Sequence, residues 1–269
     1  MIKKDRLKGG KKVRILAVGD VVGERGVQKV KEVLPTLKIE KKIDFVIING
    51  ENAAGGMGIT RKLFDELLKA GADVITMGNH TWGKKDIFSF IDHDKLIRPA
   101  NYSEGVVGKG YGIYTCQNKK IAVINLIGRT SMSVLSENPF TVVEKVIKDI
   151  EKKVDIIIVD FHAEATAEKI AMGYFLDGKV TALFGTHTHV QTADEKILPK
   201  GMGYITDIGM TGPIHSVIGM DSSASVKRFL TSMPERYKVA EGNCKMHSVL
   251  FEINDEKNQI VNIERINRK

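Results

Sequence analysis

The chain has 269 residues, with 42% hydrophobic and 28% charged side chains. That is too long for a disulfide scaffold and suits one large α/β domain over residues 13–269. Lys and Arg number 41 against 33 Asp and Glu, a net charge of +8, which would suggest nucleic-acid binding if it were spread over the surface. Residues 1–12, however, hold six bases and one acid, so +5 sits in a basic N-terminal tail and only +3 in the other 257 residues. No apolar run approaches the roughly 20 residues of a membrane span, and no signal-type apolar stretch follows the N-terminus. Cys116 and Cys244 have no metal-ligand spacing and read as reduced thiols of a cytoplasmic protein.

Taken in chain order, strands and helices alternate. Val13–Val18 is an aliphatic run of the kind found in buried parallel strands. Gly26 to Lys38 has helical spacing interrupted by Pro35. Ile43–Asn49 is a second strand, Arg61–Ala70 a helix capped by Thr60 and stopped by Gly71, and Asp73–Met77 a third strand. A short helix is expected at Asp86–Ile91, then strands at Tyr111–Cys116 and Lys120–Leu126. Pro139–Lys152 is a helix with Pro in its first turn, Val154–Asp160 a strand, Ala163–Leu176 a helix and Val180–Phe184 a strand. After Gly185 the pattern is loops and short strands: Gly203–Thr206, then His247–Ile253 and Gln259–Ile266 as a hairpin. Early βαβ units followed by antiparallel strands predict a layered α/β architecture.

Five strands run into residues that bind metals or carry protons: Asp20; Asn49-Gly-Glu51-Asn52; Gly78-Asn79-His80; Asp160-Phe-His162; and Gly185-Thr-His187-Thr-His189. Each alone has an ordinary structural use, such as a turn or a helix cap. Together, at the carboxyl ends of strands where α/β sheets place their ligand crevice, they form a donor set. Carboxylate, amide oxygen and imidazole suit first-row divalent cations. About seven donors exceed what one ion with open positions needs, and a pair of ions sharing Glu51 would use them all. His93, His215 and His247 lack that context and read as structural or surface residues. No phosphate-loop, dinucleotide or Gly-x-Ser-x-Gly pattern competes.

The blocks Val18-Gly-Asp20-Val-Val-Gly23, Asn49-Gly-Glu51-Asn-Ala-Ala-Gly-Gly56, Met77-Gly-Asn-His80-Thr-Trp82, Asp160-Phe-His162-Ala-Glu164, Gly185-Thr-His-Thr-His-Val-Gln191 and Asp207-Ile-Gly-Met-Thr-Gly-Pro213 occur in this order. They resemble the calcineurin-like metallophosphoesterase superfamily, and within it the YmdB-like bacterial phosphodiesterases. The resemblance implies a four-layer αββα sandwich with mixed sheets and a two-metal site at one edge. It implies Asp20, Glu51, Asn52 and His189 as ligands of one ion, and Glu51, Asn79, His162 and His187 as ligands of the other. It implies attack by a metal-bridging hydroxide, with His80 facing the substrate as general acid or as a cation that stabilises the transition state. The superfamily's usual Asp-x-His is here Asp20-Val21-Val22, and Glu51 replaces the usual bridging Asp. The first site is therefore richer in oxygen, which favours iron or manganese, with magnesium or zinc as further candidates. The implied substrates are cyclic nucleotides, 2′,3′-cyclic ones in particular, and one Trp with few aromatic platforms suits a mononucleotide better than a long strand. An RNA-processing partner and a homo-oligomer stay open. Two other readings compete: a CapA-like capsule-synthesis protein, and an RNA-associated scaffold with a structural metal.

Overall fold

The computed structural model describes residues 12–236 and 238–269. Of the basic N-terminal segment only Lys12 lies among them; it opens the first strand and pairs its Nζ with Glu252 Oε2 at 2.9 Å. The elements are β1 (Lys12–Val18), β2 (Asp20–Val21), α1 (Gly23–Lys41), β3 (Phe45–Asn49), α2 (Arg61–Ala70), β4 (Val74–Thr76), a 3-10 turn at Lys85–Ser89, β5 (Leu96–Ile97), β6 (Tyr111–Cys116) and β7 (Lys119–Ile127). They continue with α3 (Pro139–Ile150), β8 (Ile156–His162), α4 (Thr166–Leu176), β9 (Ala182–Thr186), β10 (Lys196–Ile197), β11 (Gly203–Ile205), β12 (Met210–Pro213), α5 (Ser222–Thr231), β13 (Cys244–Asn254) and β14 (Ile260–Arg268).

Among the described residues, an eight-stranded sheet has the order β2-β12-β13-β1-β3-β4-β5, with β14 beside β13. A six-stranded sheet has the order β10-β11-β9-β8-β7-β6. Both are mixed: β1-β3-β4-β5 and β7-β8-β9-β11 run parallel, while β13 is antiparallel to β1 and β14. The period-2 alternation of strand side chains divides the core into three layers. In β1, Val13, Ile15 and Ala17 face the other sheet, and Leu16 and Val18 face α1 and α2. In β8, Ile156 and Ile158 join the same intersheet layer, and Ile157, Val159 and Phe161 pack toward α3 and α4. Strands buried on both faces read as continuous apolar runs for this reason. The result is helix, sheet, sheet, helix, the expected αββα sandwich.

Thr60 and Gly71 bound α2 as expected: Thr60 Oγ1 accepts from Leu63 N, and Gly71 is left-handed at φ +116°. Two elements differ from expectation. Pro35 lies inside an unbroken α1, from Gly23 to Lys41, rather than interrupting it. It removes one backbone donor, but Val27, Val30, Leu34 and Leu37 are buried on either side of it, and that packing carries the helix through. Helix α5 stands where loops and short strands were expected; Asp221 caps it by accepting from Ala224 N at 3.0 Å. Its apolar residues Val226, Phe229 and Leu230 face outward and only Ser225 is buried, so its sequence lacks the inward stripe of a core-facing helix.

His93 stands edge-on against Phe64, His215 is exposed, and His247 is buried in β13 with no hydrogen-bond partner for Nδ1. Burial, with Lys245 nearby, pushes the His247 pKa down to about 4 against the opposing charge of Asp207. The unfolded chain therefore takes up a proton below about pH 6.5 that the native fold refuses until about pH 4. The stability this neutral imidazole contributes is complete above the unfolded pKa and lost as pH falls through that window. Melting temperature should fall less steeply between pH 6.5 and 4 in His247→Gln than in the parent. An unchanged slope would show that other groups set the acid limb.

Candidate metal centre

The intersheet alternation that builds the core also builds the site. Phe45 and Ile47 are followed on the same face of β3 by Asn49; Val74 in β4 by Thr76; Ile156 and Ile158 in β8 by Asp160 and His162; Ala182 and Phe184 in β9 by Thr186. All five polar residues are buried. At the carboxyl end of each strand the inward positions change from apolar to polar, and the loops beyond carry the remaining donors.

There the structure brings together all eight residues singled out from the sequence. Asp20, on β2, and Glu51, just past β3, are 0% and 1% exposed. Glu51 Oε1 lies 3.2 Å from His162 Nε2, and Oε2 accepts the His80 backbone N–H at 3.0 Å. His162 Nε2 also lies 2.9 Å from Asn79 Oδ1 and 3.0 Å from His187 Nδ1. His189 Nε2 faces Asn52 Nδ2 at 3.2 Å and Asp20 Oδ1 at 3.8 Å. Asn52 Oδ1 accepts from His80 Nδ1 at 2.8 Å. As a metal ligand it would present Oδ1 where Nδ2 now faces Glu51 and His189, a half-turn of the amide.

The far side of each imidazole assigns its tautomer. Thr186 Oγ1 donates to Asp160 Oδ1 at 2.7 Å, so it accepts from His162 Nδ1 at 2.9 Å, and Nε2 is the nitrogen aimed into the site. His187 places Nε2 on Glu164 at 3.0 Å and turns Nδ1 inward. His189 donates Nδ1–H to the Ile218 carbonyl at 2.8 Å, which leaves Nε2 facing inward.

The electrostatics suit a cation. Burial pushes the Asp20 carboxyl up, helped by Asp207 and Glu51 and opposed by His189 and His162. Burial acts the same way on Glu51, but His162 and His80 hold it well below the usual carboxylate range. Burial alone would lower His162, yet Glu51, Asp20 and Asp160 push it up to about 9, so in the metal-free protein a proton occupies Nε2. Burial and the neighbouring His162 charge press His187 down to about 3. Asp20 Oδ1 is buried with no hydrogen-bond partner, a costly state for a carboxylate oxygen unless a cation meets it. One oxygen of Glu51 and one nitrogen each of His162 and His187 lie within 4.8 Å of one another. Three inward imidazole nitrogens, the orphaned oxygen and Glu51 fit divalent first-row ions held by N and O donors.

Several supporting residues had no role assigned from the sequence. Asp160 accepts from Thr76 Oγ1 at 2.5 Å as well as Thr186, and burial pushes its pKa up to about 7 against those bonds. Asn49 Oδ1 accepts the Glu51 N–H at 3.2 Å. Glu164 completes a carboxylate–histidine pair with His187. The available signal was a polar residue at an inward position of an otherwise apolar strand. Second partners of this kind typically contribute about 10–100-fold in metal affinity. Glu164→Ala should weaken manganese binding by about that factor without unfolding the protein, read by equilibrium dialysis; unchanged affinity would reduce the pair to a surface contact.

The YmdB-like protein family model matches residues 16–266. The 2′,3′-cyclic-nucleotide 2′-phosphodiesterase of Bacillus subtilis (strain 168) is 52% identical over 255 residues, covering 94% of this chain and 96% of the relative. A crystal structure of a novel phosphatase from Mycoplasma pneumoniae superposes with a TM-score of 0.91 at 37% identity, covering 96% of this chain and 94% of the other. A crystal structure of a hypothetical protein from Thermus thermophilus gives 0.89 at 37% identity, covering 95% and 98%. Sandwich, donor set and near full-length sequence match agree, and the chain belongs to the YmdB-like family of the metallophosphoesterase superfamily.

Proposed function

We propose that this chain, a phosphoric diester hydrolase by family, opens 2′,3′-cyclic nucleotides at a two-metal centre carried by one domain over residues 13–269. The observation that carries the reading is the convergence of Asp20 Oδ1, both Glu51 oxygens and three inward imidazole nitrogens where strand ends of the two sheets meet. Asp20, Glu51, Asn52 and His189 would hold one ion, and Glu51, Asn79, His162 and His187 the other. When bound, such ions supply Lewis acidity, neutralising charge on the phosphoryl oxygens and making water acidic enough to attack phosphorus. Iron or manganese suits the mixed N/O donors.

The chain's own residues do the rest. Thr186, Glu164 and the Ile218 carbonyl hold the three imidazoles in their ligating tautomers. His80, with its side chain 31% exposed, keeps Nε2 for the substrate: an Asn52 amide turned to ligate would donate Nδ2–H to His80 Nδ1 and leave the ring proton on Nε2. As the bond from phosphorus to O2′ breaks and a bond to the water oxygen forms, His80 delivers a proton to O2′. The product is a 3′-nucleotide, the regiochemistry named for the Bacillus relative. The free thiols Cys116 and Cys244 suit a cytoplasmic enzyme.

The test is turnover. Manganese- or iron-loaded protein should convert 2′,3′-cyclic AMP to 3′-AMP and hydrolyse bis-p-nitrophenyl phosphate, and chelation should abolish both. Loaded protein that turns over neither would defeat the reading. Binding without turnover would favour the scaffold alternative, in which a positioned His80 has no use.

A further inference from the structure

Outside the ligand set, Lys169 on α4 and Asp207, two residues past β11, form an ion pair with both side chains 0% exposed and Nζ 2.7 Å from Oδ2. Burying two charges is a poor route to stability, since apolar replacement of such pairs is often neutral or favourable. What the carboxylate touches is more telling. Oδ2 also accepts Thr188 N at 3.1 Å and Thr188 Oγ1 at 2.7 Å. Thr188 lies between His187 and His189, whose φ angles are +100° and +65°. Such left-handed conformations are costly for non-glycine residues and persist where surrounding structure enforces them. Oδ1 accepts Gly209 N at 2.8 Å, and the Gly209 carbonyl accepts the backbone N–H of Asp20 at 3.1 Å. One buried carboxylate therefore ties down both segments that deliver Asp20, His187 and His189.

The two halves of the ligand set depend on this tie unequally. His187 has a second anchor in Glu164, and His162 is held from behind by Thr186 and Asp160. His189 has only the Ile218 carbonyl behind it.

Building on the two-metal reading above, we propose that Asp207, fixed by Lys169, is a positioning residue that sets the cation affinity of the Asp20–His189 half of the centre while the Glu51–His162–His187 half stands largely without it. The experiment loads full-length parent and Asp207→Asn with manganese(II), counts bound metal by equilibrium dialysis, and records electron paramagnetic resonance. The parent should bind two ions and show the spectrum of an exchange-coupled pair. Asp207→Asn should bind one ion tightly and the second about 10–100-fold more weakly, with an isolated-ion spectrum in place of the coupled one and kcat reduced more than KM. Because Asp207→Asn leaves Lys169 buried without its counter-charge, the double variant K169M/D207N is measured beside it. It should fold and still lack the second ion, since Met and Asn restore neutrality but the single Asn oxygen cannot accept from both Thr188 and Gly209. Two ions at parental affinity in either variant would overturn the proposal, as would equal weakening of both ions in a folded double variant. A parent that binds two ions and hydrolyses phosphodiesters while the variants do the same overturns the positioning role alone. A parent that binds fewer than two ions overturns the two-metal reading and this role with it.

Discussion

Replacing His80 with alanine should lower kcat for 2′,3′-cyclic nucleotides by about 10²–10⁴-fold, the range general acid catalysis commonly supplies, while both metal ions stay bound. His80 is next to Asn79, but it meets the centre differently. Its backbone N–H donates to Glu51 Oε2 and its ring Nδ1 to Asn52 Oδ1, and its side chain is partly exposed where Asp20, Glu51 and His162 are buried. The backbone bond to Glu51 survives in alanine, so the carboxylate keeps its place. Leaving-group dependence separates proton donation from general disruption. A ribose 2′-oxygen leaves as a poor anion and needs a proton; p-nitrophenolate does not. His80→Ala should therefore lose far more activity on the cyclic nucleotide than on bis-p-nitrophenyl phosphate. Equal losses, or loss of a metal ion, would make His80 something other than the acid.

A comparably large effect is expected at a residue with no side chain. A Cβ on Gly78 would lie 2.3 Å from Glu51 Oε2, 2.4 Å from His162 Cδ2 and 2.5 Å from His162 Nε2. Real Cβ atoms do not approach so closely, so one partner must move. The backbone has little room to yield: the Gly78 carbonyl accepts from Tyr102 Oη at 2.8 Å, Thr81 Oγ1 at 2.6 Å and Thr81 N at 3.1 Å. The displacement falls on Glu51 and His162, both buried in the candidate site. Gly78→Ala should weaken metal binding by at least about 100-fold, the upper end of what loss of a supporting contact costs, and bring turnover close to background. Dialysis and the cyclic nucleotide assay read both. Full metal occupancy with parental turnover would show that the loop after β4 can yield where its hydrogen bonds say it cannot.

Much of this was legible because two periods coincide with the chemistry. Aliphatic runs such as Ile156–Val159 mark strands buried on both faces, and the ligand candidates follow those runs directly, so the strand ends mark out a candidate site in the sequence itself. What stayed hidden depends on tertiary context. Nothing local announces that Pro35 will be bridged by the burial of Val30 and Leu34, or that α5 will turn Phe229 and Leu230 outward. Left-handed His187 and His189 cannot be inferred from a Thr-His-Thr-His string, because the contacts that enforce those angles come from other parts of the chain. Asp160 was visible as a polar interruption in β8, but its task appears only once Thr76 from β4 of the opposite sheet and Thr186 from the adjacent β9 are seen on its oxygens.

The donor set is also divided between the two sheets. Asp20, Glu51, Asn52 and Asn79 follow strands of the eight-stranded sheet; His162, His187 and His189 belong to the six-stranded one. Behind the site the sheets meet through an apolar layer of mainly Val, Ile, Ala and Phe side chains, and both cysteines are free thiols, so no disulfide cross-links the two sheets. Any ion held by both sides fastens one sheet to the other. At about a hundred times its dissociation constant such a ligand stabilises the native state by about 2.7 kcal/mol, which is on the order of 5–10 °C in melting temperature for a chain of this size. A melt with and without chelator reads it directly. The same carboxylates and imidazoles would then act as rivets as well as reagents, and metal withdrawal would thin the population of folded enzyme while it silences each molecule.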